Sequence, residues 1–541
     1  MLCAMWPLRF LLLVPALALL AMSAGCGRTE TRVEQGNRTG VLVRGNGTEP
    51  ESLDPHVVRG GPEWTVIAAL FEPLVSPDPQ TSQPMPAAAD RWDVDASGLV
   101  HTFHLRDDAV WSDGVPVTAH DFLWSVQRLA SPGIGSAHVE DTLFFLRGVR
   151  GYQAGNIPFS EVGARVDNDR TLVLTLEKPT PFFLSALYQF YPVPRHVVEK
   201  HGAMTDRKGA WTKPGVLVGN GPFVLQRWVP QQVIEVVKNP RYWDAARVRL
   251  NGIHFLPFEN PSTEEAAFRS GQLHLTNSVP LQKIAVYQRD RPDVLKIVSD
   301  LGNAFYSVNV NKPPLTDVRV RQALAWAIDR EVLVKRVILG GKQPGLAFTP
   351  SGLDGYTPAP GVGFDPRRAQ ALLAEAGFPE GRGFPTIELL VDTRDHHRVV
   401  AEAIQQMWEK NLGVRLAIRN EETRVLLASK RAMQFDLVRG SWNATTYLDP
   451  WYFLGPWTTG GLFNEAKWSN SDYDALMRRV ETTTEPAMRR QLFAEAEALF
   501  LRELPAIPLY FGTQVMLMHP SVKGWSGRPF GDRLFKTLWV E

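Results

Sequence analysis

The sequence predicts an α/β protein that folds as more than one lobe. At 541 residues the chain is too long for a single hydrophobic core, because cores stop growing at roughly 250 to 300 residues. From about Asp317 onward, helical patterns alternate with short apolar strands, which is typical of a lobe built on a mixed or parallel sheet. The first half is mostly β with short helices. We therefore expect two or more lobes with different architectures.

Individual elements follow from periodicity and turn residues. Strand-like runs occupy residues 41–44, 171–176, 223–228 and 233–237, with turn dipeptides such as Asn220-Gly221 between them. In the second half we predict helices over residues 317–329, 366–376 and 399–412, and strands over 386–391 and 414–418. A later helix should turn Met488, Leu492, Ala496 and Leu499 toward the core. Residues 507–511 and 515–518 are predicted to form two strands separated by a turn that contains glycine.

The N-terminus is typical of an exported protein. Arg9 precedes an apolar run over residues 10–21, and small residues follow before Cys26. This run falls short of the about 20 residues that a membrane span needs, so residues 1–26 are predicted to be a signal peptide. The site at Cys26 resembles one at which bacterial lipoproteins are cut and acylated; the alternative is that Cys26 is discarded with the signal peptide. Residues 27–40 are polar and are predicted to form a flexible tether.

Composition excludes several classes of function. There are 58 basic and 57 acidic residues, giving a formal charge of +1, so no overall field favours nucleic acid. The only cysteines are Cys3 and Cys26, so the mature chain has no disulfide to form. No P-loop, G-x-S-x-G elbow, dinucleotide fingerprint or zinc-helix spacing occurs. We expect no cofactor, no metal and no catalytic activity; an exported peptide hydrolase is the alternative, for which a nucleophile or metal triad would be needed.

Two blocks carry a family resemblance. Residues 102–129, TFHLRDDAVWSDGVPVTAHDFLWSVQRL, combine a strand, an Asp113-Gly114 turn and a helix capped by Thr118, with Phe122, Val126 and Leu129 on one face. Together with GTEPESLDPHVVRG at residues 47–60, this block resembles family 5 solute-binding proteins, the extracytoplasmic receptors of ATP-driven peptide importers, and most closely their oligopeptide-binding members.

The resemblance implies a fold and a set of partners. The expected fold is the type II periplasmic-binding-protein (Venus-flytrap) fold, with two lobes around a cleft and an extra family 5 domain. Its implied division is domain I over residues 41–80, 195–301 and 508–541, domain II over 81–194 and domain III over 302–507. The chain would act as a monomer in the periplasm or cell envelope, close by hinge motion on its ligand, and dock on a membrane permease served by separate ATPase subunits. Signalling instead of transport is the alternative.

Residues 435–450, FDLVRGSWNATTYLDP, resemble the strand of this family that pairs with the backbone of a bound peptide. The resemblance places Arg439 at the peptide carboxylate and Trp442 at the cleft edge. Lys430, Lys312 and His397 match further basic positions, each able to make a charge-assisted hydrogen bond of roughly 1.5 to 3 kcal/mol. The alternatives are that Trp442 belongs to the core and that the charges are ordinary surface groups.

The same segment departs from the family. Where relatives carry an aspartate for the peptide's ammonium group, this chain has Thr445 or Thr446, and the stretch from Trp442 through Asn443 is one residue longer. Arg59 also replaces an acidic residue that borders the cleft. Three outcomes stay open: a peptide with a blocked amino end, an ammonium group held by another carboxylate such as Asp449, or a non-peptide ligand. We expect oligopeptides or peptide-like molecules.

Overall fold

The computed structural model describes residues 30–136, 138–444, 447–461, 463–528 and 533–541. The predicted signal peptide, Cys26, Thr445 and Thr446 lie outside the described residues. The strands are β1 Val41–Gly45, β2 Val75–Pro77, β3 Pro84–Pro86, β4 Ala89–Val94, β5 Val100–Leu105, β6 Ala164–Asn168, β7 Thr171–Thr175, β8 Phe223–Val229, β9 Val233–Lys238, β10 Gly252–Leu256, β11 Leu295–Val308, β12 Gln343–Pro344, β13 Ile387–Asp392, β14 Leu416–Glu421, β15 Leu437–Asn443, β16 Ala506–Leu517, β17 Val522–Lys523 and β18 Trp539–Val540.

The α-helices lie mostly outside the sheets. They are α1 Arg32–Thr39, α2 Gly61–Leu70, α3 Ala119–Ala130, α4 Val139–Thr142, α5 Val149–Gln153, α6 Phe183–Ala186, α7 Arg195–His201, α8 Pro261–Arg269, α9 Leu281–Asp290, α10 Val318–Trp326, α11 Arg330–Val332, α12 Pro366–Glu375, α13 Asp395–Leu412, α14 Thr423–Arg431, α15 Trp451–Leu454, α16 Ser471–Thr482 and α17 Pro486–Glu503. The strands predicted in the first half and the helices predicted in the second are confirmed to within a few residues.

Three sheets define three lobes. Lobe I contains the four-stranded sheet β1-β10-β9-β8, in which β1 and β10 are parallel. Lobe II contains the antiparallel sheet β4-β5-β7-β6. Lobe III contains the six-stranded mixed sheet β12-β16-β11-β15-β13-β14, whose β13 and β14 are parallel. The predicted α/β class is therefore confirmed, including the mixed sheet of the second half.

Two long strands, β11 and β16, connect lobe I with lobe III. Residues 295–299 of β11 pair with residues 513–517, and residues 303–307 pair with residues 506–511, with a register shift between Ser299 and Asn303. Two strands with a turn were predicted over residues 507–518, and this is wrong: β16 runs through Gly512 without a break. Glycine is needed there because a Cβ would lie 2.1 Å from Oδ1 of Asp300.

The flexible tether predicted over residues 27–40 is wrong from Arg32 onward, where α1 forms. Thr31 and Glu34 form a capping box: the Glu34 backbone N–H donates to Oγ1 of Thr31 at 3.2 Å, and the Thr31 N–H donates to Oε2 of Glu34 at 2.8 Å. Val33 is buried and fastens the helix to lobe I. The T-x-x-E spacing of residues 31–34 is a sequence signal for a helix N-terminus, but the polar composition of residues 27–40 favours a flexible segment.

The two blocks that carry the family resemblance contact each other. Thr118 lies at the predicted cap of α3, where it forms a capping box with Asp121, and Phe122, Val126 and Leu129 are buried. Arg128 on the same helix makes a buried bidentate ion pair with Asp54 of the first block, at 3.0 and 2.6 Å. The resemblance is thus carried by residues that join lobe II to lobe I, which is a structural role.

Candidate ligand-binding site

Strand β15 has one paired edge and one partly open edge. It pairs with β11 along its whole length, but with β13 only at Leu437 and Val438. The Ala444 N–H donates to the Leu301 carbonyl at 3.0 Å, so Ala444 turns its main-chain groups toward β11. In an antiparallel pair, successive residues turn these groups alternately toward and away from the partner strand. Main-chain groups of Ser441 and Asn443 consequently face away from β11, toward a side where no described strand pairs with them. This edge can accept an added strand.

Arg439 lies at the start of that open edge and is unpaired. Its side chain is half-buried, and among the described residues no hydrogen-bond or ion-pair partner contacts its guanidinium. It stands opposite Tyr306 in the ladder. A partly desolvated guanidinium without a counter-ion is a natural receptor for a carboxylate, because it offers two parallel donors.

His397 shares the electrostatic environment of Arg439. Its imidazole is buried, Nδ1 lies 2.5 Å from Oδ1 of Asp392, and Nε2 has no hydrogen-bond partner. Burial, and then the charge of Arg439, lower the pKa of His397 to about 4, although Asp392 acts in the opposite direction. His397 is therefore neutral at pH 7, with the proton on the nitrogen that faces Asp392. Its Nε2 is buried and has no hydrogen-bond partner among the described residues, so a ligand could reach it only after the surrounding residues move.

Lys312 and Lys430 are each bound to a carboxylate. Lys312 pairs with Asp436, and Nζ of Lys430 lies 2.9 Å from Oε1 of Glu465. A ligand carboxylate would have to compete with these partners. Of the four basic residues expected at the site, Arg439 is half-buried and has no hydrogen-bond or ion-pair partner among the described residues, whereas His397 is buried beside Asp392 and is affected by the charge of Arg439.

Trp442 belongs both to the core and to a cavity. Its ring packs against Phe305 and Trp457, with ring centroids 5.2 and 5.4 Å apart, and it also lines a cavity of about 840 Å³. The alternative that Trp442 belongs to the core is therefore met in part, and its place at the cleft edge stays a prediction. Asn443 is exposed at the end of β15.

Asp449 is not available to a ligand, so the alternative that it holds an ammonium group is wrong. Its side chain is 1% exposed and makes a bidentate ion pair with Arg489, whose Nη2 lies 2.9 Å from Oδ1. The Trp451 N–H donates to the same oxygen at 2.8 Å. Sequence periodicity placed Met488 on the buried face of α17, yet Met488 is 45% exposed and Arg489 is buried.

Arg59 lies in lobe I, away from the other site residues. It precedes α2 in an exposed position and lines a groove with Glu51, Glu63 and Arg207. Within the described ranges its side chain makes no hydrogen bond or ion pair, and no contact links it to Arg439. The role of Arg59 at the border of the cleft stays a prediction.

The described part of the chain has neither a metal-binding cluster nor a helix that could span a membrane. No cluster of three or more His, Cys, Asp or Glu side chains is arranged there to hold a metal ion. None of its helices combines the length and apolar character that a membrane span requires.

Relatives of known name match nearly the whole chain. The periplasmic oligopeptide-binding protein OppA of Salmonella typhimurium is 33% identical over 542 residues, covering 98% of each chain. The probable deoxycholate-binding periplasmic protein YgiS of Escherichia coli is 34% identical over 521 residues, covering 93% of this chain and 94% of the relative. Relatives with peptide and non-peptide names are thus about equally similar to this chain.

Two solved structures of similar proteins, one unliganded and open and one with a bound peptide, can be compared with the arrangement of the lobes in this chain. The unliganded open form of the periplasmic murein tripeptide-binding protein MppA matches with a TM-score of 0.84 at 32% identity, covering 93% of this chain and 97% of that one. The complex of Haemophilus influenzae OppA with the peptide RPPGFSPFR matches with a TM-score of 0.69 at 30% identity, covering 93% of this chain and 99% of that one. At similar identity and coverage, the present arrangement is closer to the open form.

The model of the bacterial extracellular solute-binding proteins, family 5 (Middle), matches residues 83–465, most of the chain. The type II binding-protein fold expected from the sequence agrees with these structural neighbours. The chain belongs to the family 5 extracellular solute-binding proteins.

Proposed function

We propose that this protein is the substrate-binding component of an ABC importer and that it captures short peptides or peptide-like molecules with a free carboxylate. The observation that carries the proposal is Arg439, an unpaired and half-buried guanidinium at the start of the open edge of β15. A ligand in extended conformation could hydrogen-bond to Ser441 and Asn443 while its carboxylate meets Arg439. Relatives named as oligopeptide-binding proteins support this ligand class.

Backbone pairing explains why such a receptor would accept many sequences. Main-chain hydrogen bonds supply affinity without reading side chains, and specificity is left to the pockets. Closure would bring Arg59 of lobe I toward the bound ligand, with β11 and β16 as the hinge strands. We further propose that the closed form docks on a membrane permease and that ligands are released intact, which a turnover assay on a peptide mixture would check.

Titration calorimetry with a tripeptide and its C-terminal amide tests the carboxylate assignment. Removing a charge-assisted hydrogen bond of about 1.5 to 3 kcal/mol should weaken binding by roughly 10- to 150-fold. Arg439→Gln should weaken the acid and leave the amide nearly unchanged. Arg398→Gln is the matched control, because Arg398 is an exposed residue next to His397 that pairs with Glu402. Equal affinities for acid and amide would refute the assignment.

Export is proposed from the N-terminal sequence, with Cys26 as the lipid anchor. Periplasmic relatives support this location. Mass spectrometry of the protein from its native membrane would detect acylation of Cys26, and an unmodified chain that begins downstream of Cys26 would contradict it.

A further inference from the structure

A large aromatic cavity lies beyond the end of β15, between lobe II and lobe III. Its volume of about 840 Å³ is in the range of pockets that enclose most of a small-molecule ligand, which is about 300 to 1,000 Å³. Lobe II contributes Phe144 and Arg150, and lobe III contributes Trp442, Tyr447, Tyr452 and Phe463. Aromatic residues are thus five of the ten described lining residues, and the others include Glu140, Gln153, Ala154 and Pro456.

The cavity is continuous with the proposed peptide edge. A strand rises about 3.3 Å per residue, so Trp442 lies roughly 10 Å beyond Arg439 along β15. A ligand that places its carboxylate on Arg439 and follows the open edge would reach the cavity after about three residues. The cavity thus lies where the amino end of a short peptide would point.

The described residues that line the cavity offer a free ammonium group no buried carboxylate. Asp449, the nearby carboxylate in the sequence, is fully engaged by the buried Arg489. Among the described residues lining the cavity, Glu140 is the one acidic side chain, and it is exposed to solvent. Arg150 also lines the cavity, with its guanidinium 4.9 Å from the ring centroid of Phe144. Moving an ammonium group from water into this aromatic site would lose hydration without gaining a buried counter-ion.

Contacts between the lobes hold the aromatic wall in place. Phe182 of lobe II stacks on Tyr447 of lobe III with centroids 4.5 Å apart, and Phe145 meets the same ring edge-on at 5.9 Å. Tyr447 in turn packs against Tyr452 at 5.1 Å. In this arrangement of the lobes, Tyr447 and Tyr452 are therefore held in position by neighbouring rings, and an apolar group entering the cavity would displace water from them.

We propose that this cavity binds an apolar group attached to the amino end of the ligand, and that the preferred substrates are N-acylated short peptides with a free carboxylate. The proposal rests on the proposed function for the carboxylate end and adds a second subsite for the other end. It explains how the chain dispenses with an aspartate after Trp442: an amide-linked acyl group carries no charge to neutralise.

Titration calorimetry with trialanine, N-acetyl-trialanine and N-hexanoyl-trialanine tests the proposal. A fully buried methylene tightens binding by about fourfold, so burial of only half of the four extra methylenes should make the hexanoyl peptide bind at least about tenfold more tightly than the acetyl peptide. Phe463→Ser should reduce that ratio at least threefold; the side chain is 57% exposed, so the substitution should not disturb folding. Phe364→Ser, at a 47% exposed phenylalanine of lobe III that does not line the cavity, should leave the ratio unchanged.

The outcomes separate the two proposals. If Arg439→Gln weakens all three peptides alike while the hexanoyl preference persists, both stand. If acetyl and hexanoyl peptides bind equally, or trialanine binds most tightly and Glu140→Gln removes that preference, the acyl subsite is overturned while the carboxylate assignment survives. If Arg439→Gln has no effect but the hexanoyl preference persists, the carboxylate assignment fails. Tight binding of deoxycholate without binding of acyl peptides would overturn the peptide part of the inference.

Discussion

Asp449→Asn separates a structural role of this carboxylate from a ligand-binding role. The substitution keeps the shape of the side chain and an oxygen for the Trp451 N–H, but it removes the charge opposite Arg489. The guanidinium of Arg489 is 4% exposed and would become an uncompensated buried charge. Such a loss costs about 3 to 5 kcal/mol. For a lobe of about 200 residues this lowers Tm by roughly 6 to 20 °C, at 2 to 4 °C per kcal/mol.

Differential scanning fluorimetry measures the shift in Tm, and calorimetry on the folded variant measures ligand affinity. We expect a large loss of stability and less than a threefold change in affinity for a free tripeptide. Glu481→Gln is the matched control, because Glu481 pairs with the 60% exposed Lys178 and an exposed pair contributes at most about 1 kcal/mol. A variant that melts like the wild type but loses tenfold or more in affinity for the free tripeptide would refute the reasoning.

Three further predictions concern stability. The pKa of His397 is lowered from 6.5 to about 4, so the unfolded chain takes up a proton at this residue before the folded chain does. The stabilisation from the neutral imidazole is therefore complete above pH 6.5. Between pH 6.5 and 4 the free energy of unfolding should fall by at most about 3 kcal/mol. Urea unfolding at pH 7, 5.5 and 4 should show this dependence and a flatter profile for His397→Gln; parallel profiles would contradict it. Gly440→Ala puts a Cβ 2.4 Å from the ring of Phe305 and should destabilise by about 1 to 3 kcal/mol in the same assay, whereas an unchanged midpoint would mean that the ring moves freely. Thr31→Ala removes the cap of α1 and should cost about 1 kcal/mol, seen as faster amide exchange confined to that helix; unchanged exchange would show that burial of Val33 alone holds it.

Local signals predicted those parts of the fold in which one segment decides its own structure. The Asp113-Gly114 turn and the Thr118 cap are read from adjacent residues, and the structure has both. The long strand β16 was mistaken for two strands because Gly512 is a turn signal in isolation. Its reason lies elsewhere in the chain, since Asp300 of β11 fills the space beside it.

Pairing across distant segments limited the prediction of the site. The family resemblance identifies Lys312 and Lys430 as basic residues at positions that match the family's binding site. Their partners Asp436 and Glu465 become apparent only in the folded chain. The same holds for Arg489, which breaks the apolar periodicity of α17 because Asp449 compensates its charge in the core. Apolar periodicity counts an arginine as an exposed residue, so it cannot predict a buried arginine whose partner lies elsewhere in the chain.

If the proposed function holds, ligand pairing and lobe closure are coupled through a single strand. β11 pairs with β15 over residues 302–308, and its earlier residues continue into lobe I beside β16. An extended ligand on the open edge of β15 would therefore lie one strand away from the hinge, and its contacts with Arg59 in lobe I could form only when that hinge bends. A ligand that binds at Arg439 alone would contact lobe III but would make no contact with lobe I that favours closure. Selection of transportable ligands would then depend on how much of the ligand projects toward lobe I, and less on the affinity of the carboxylate site.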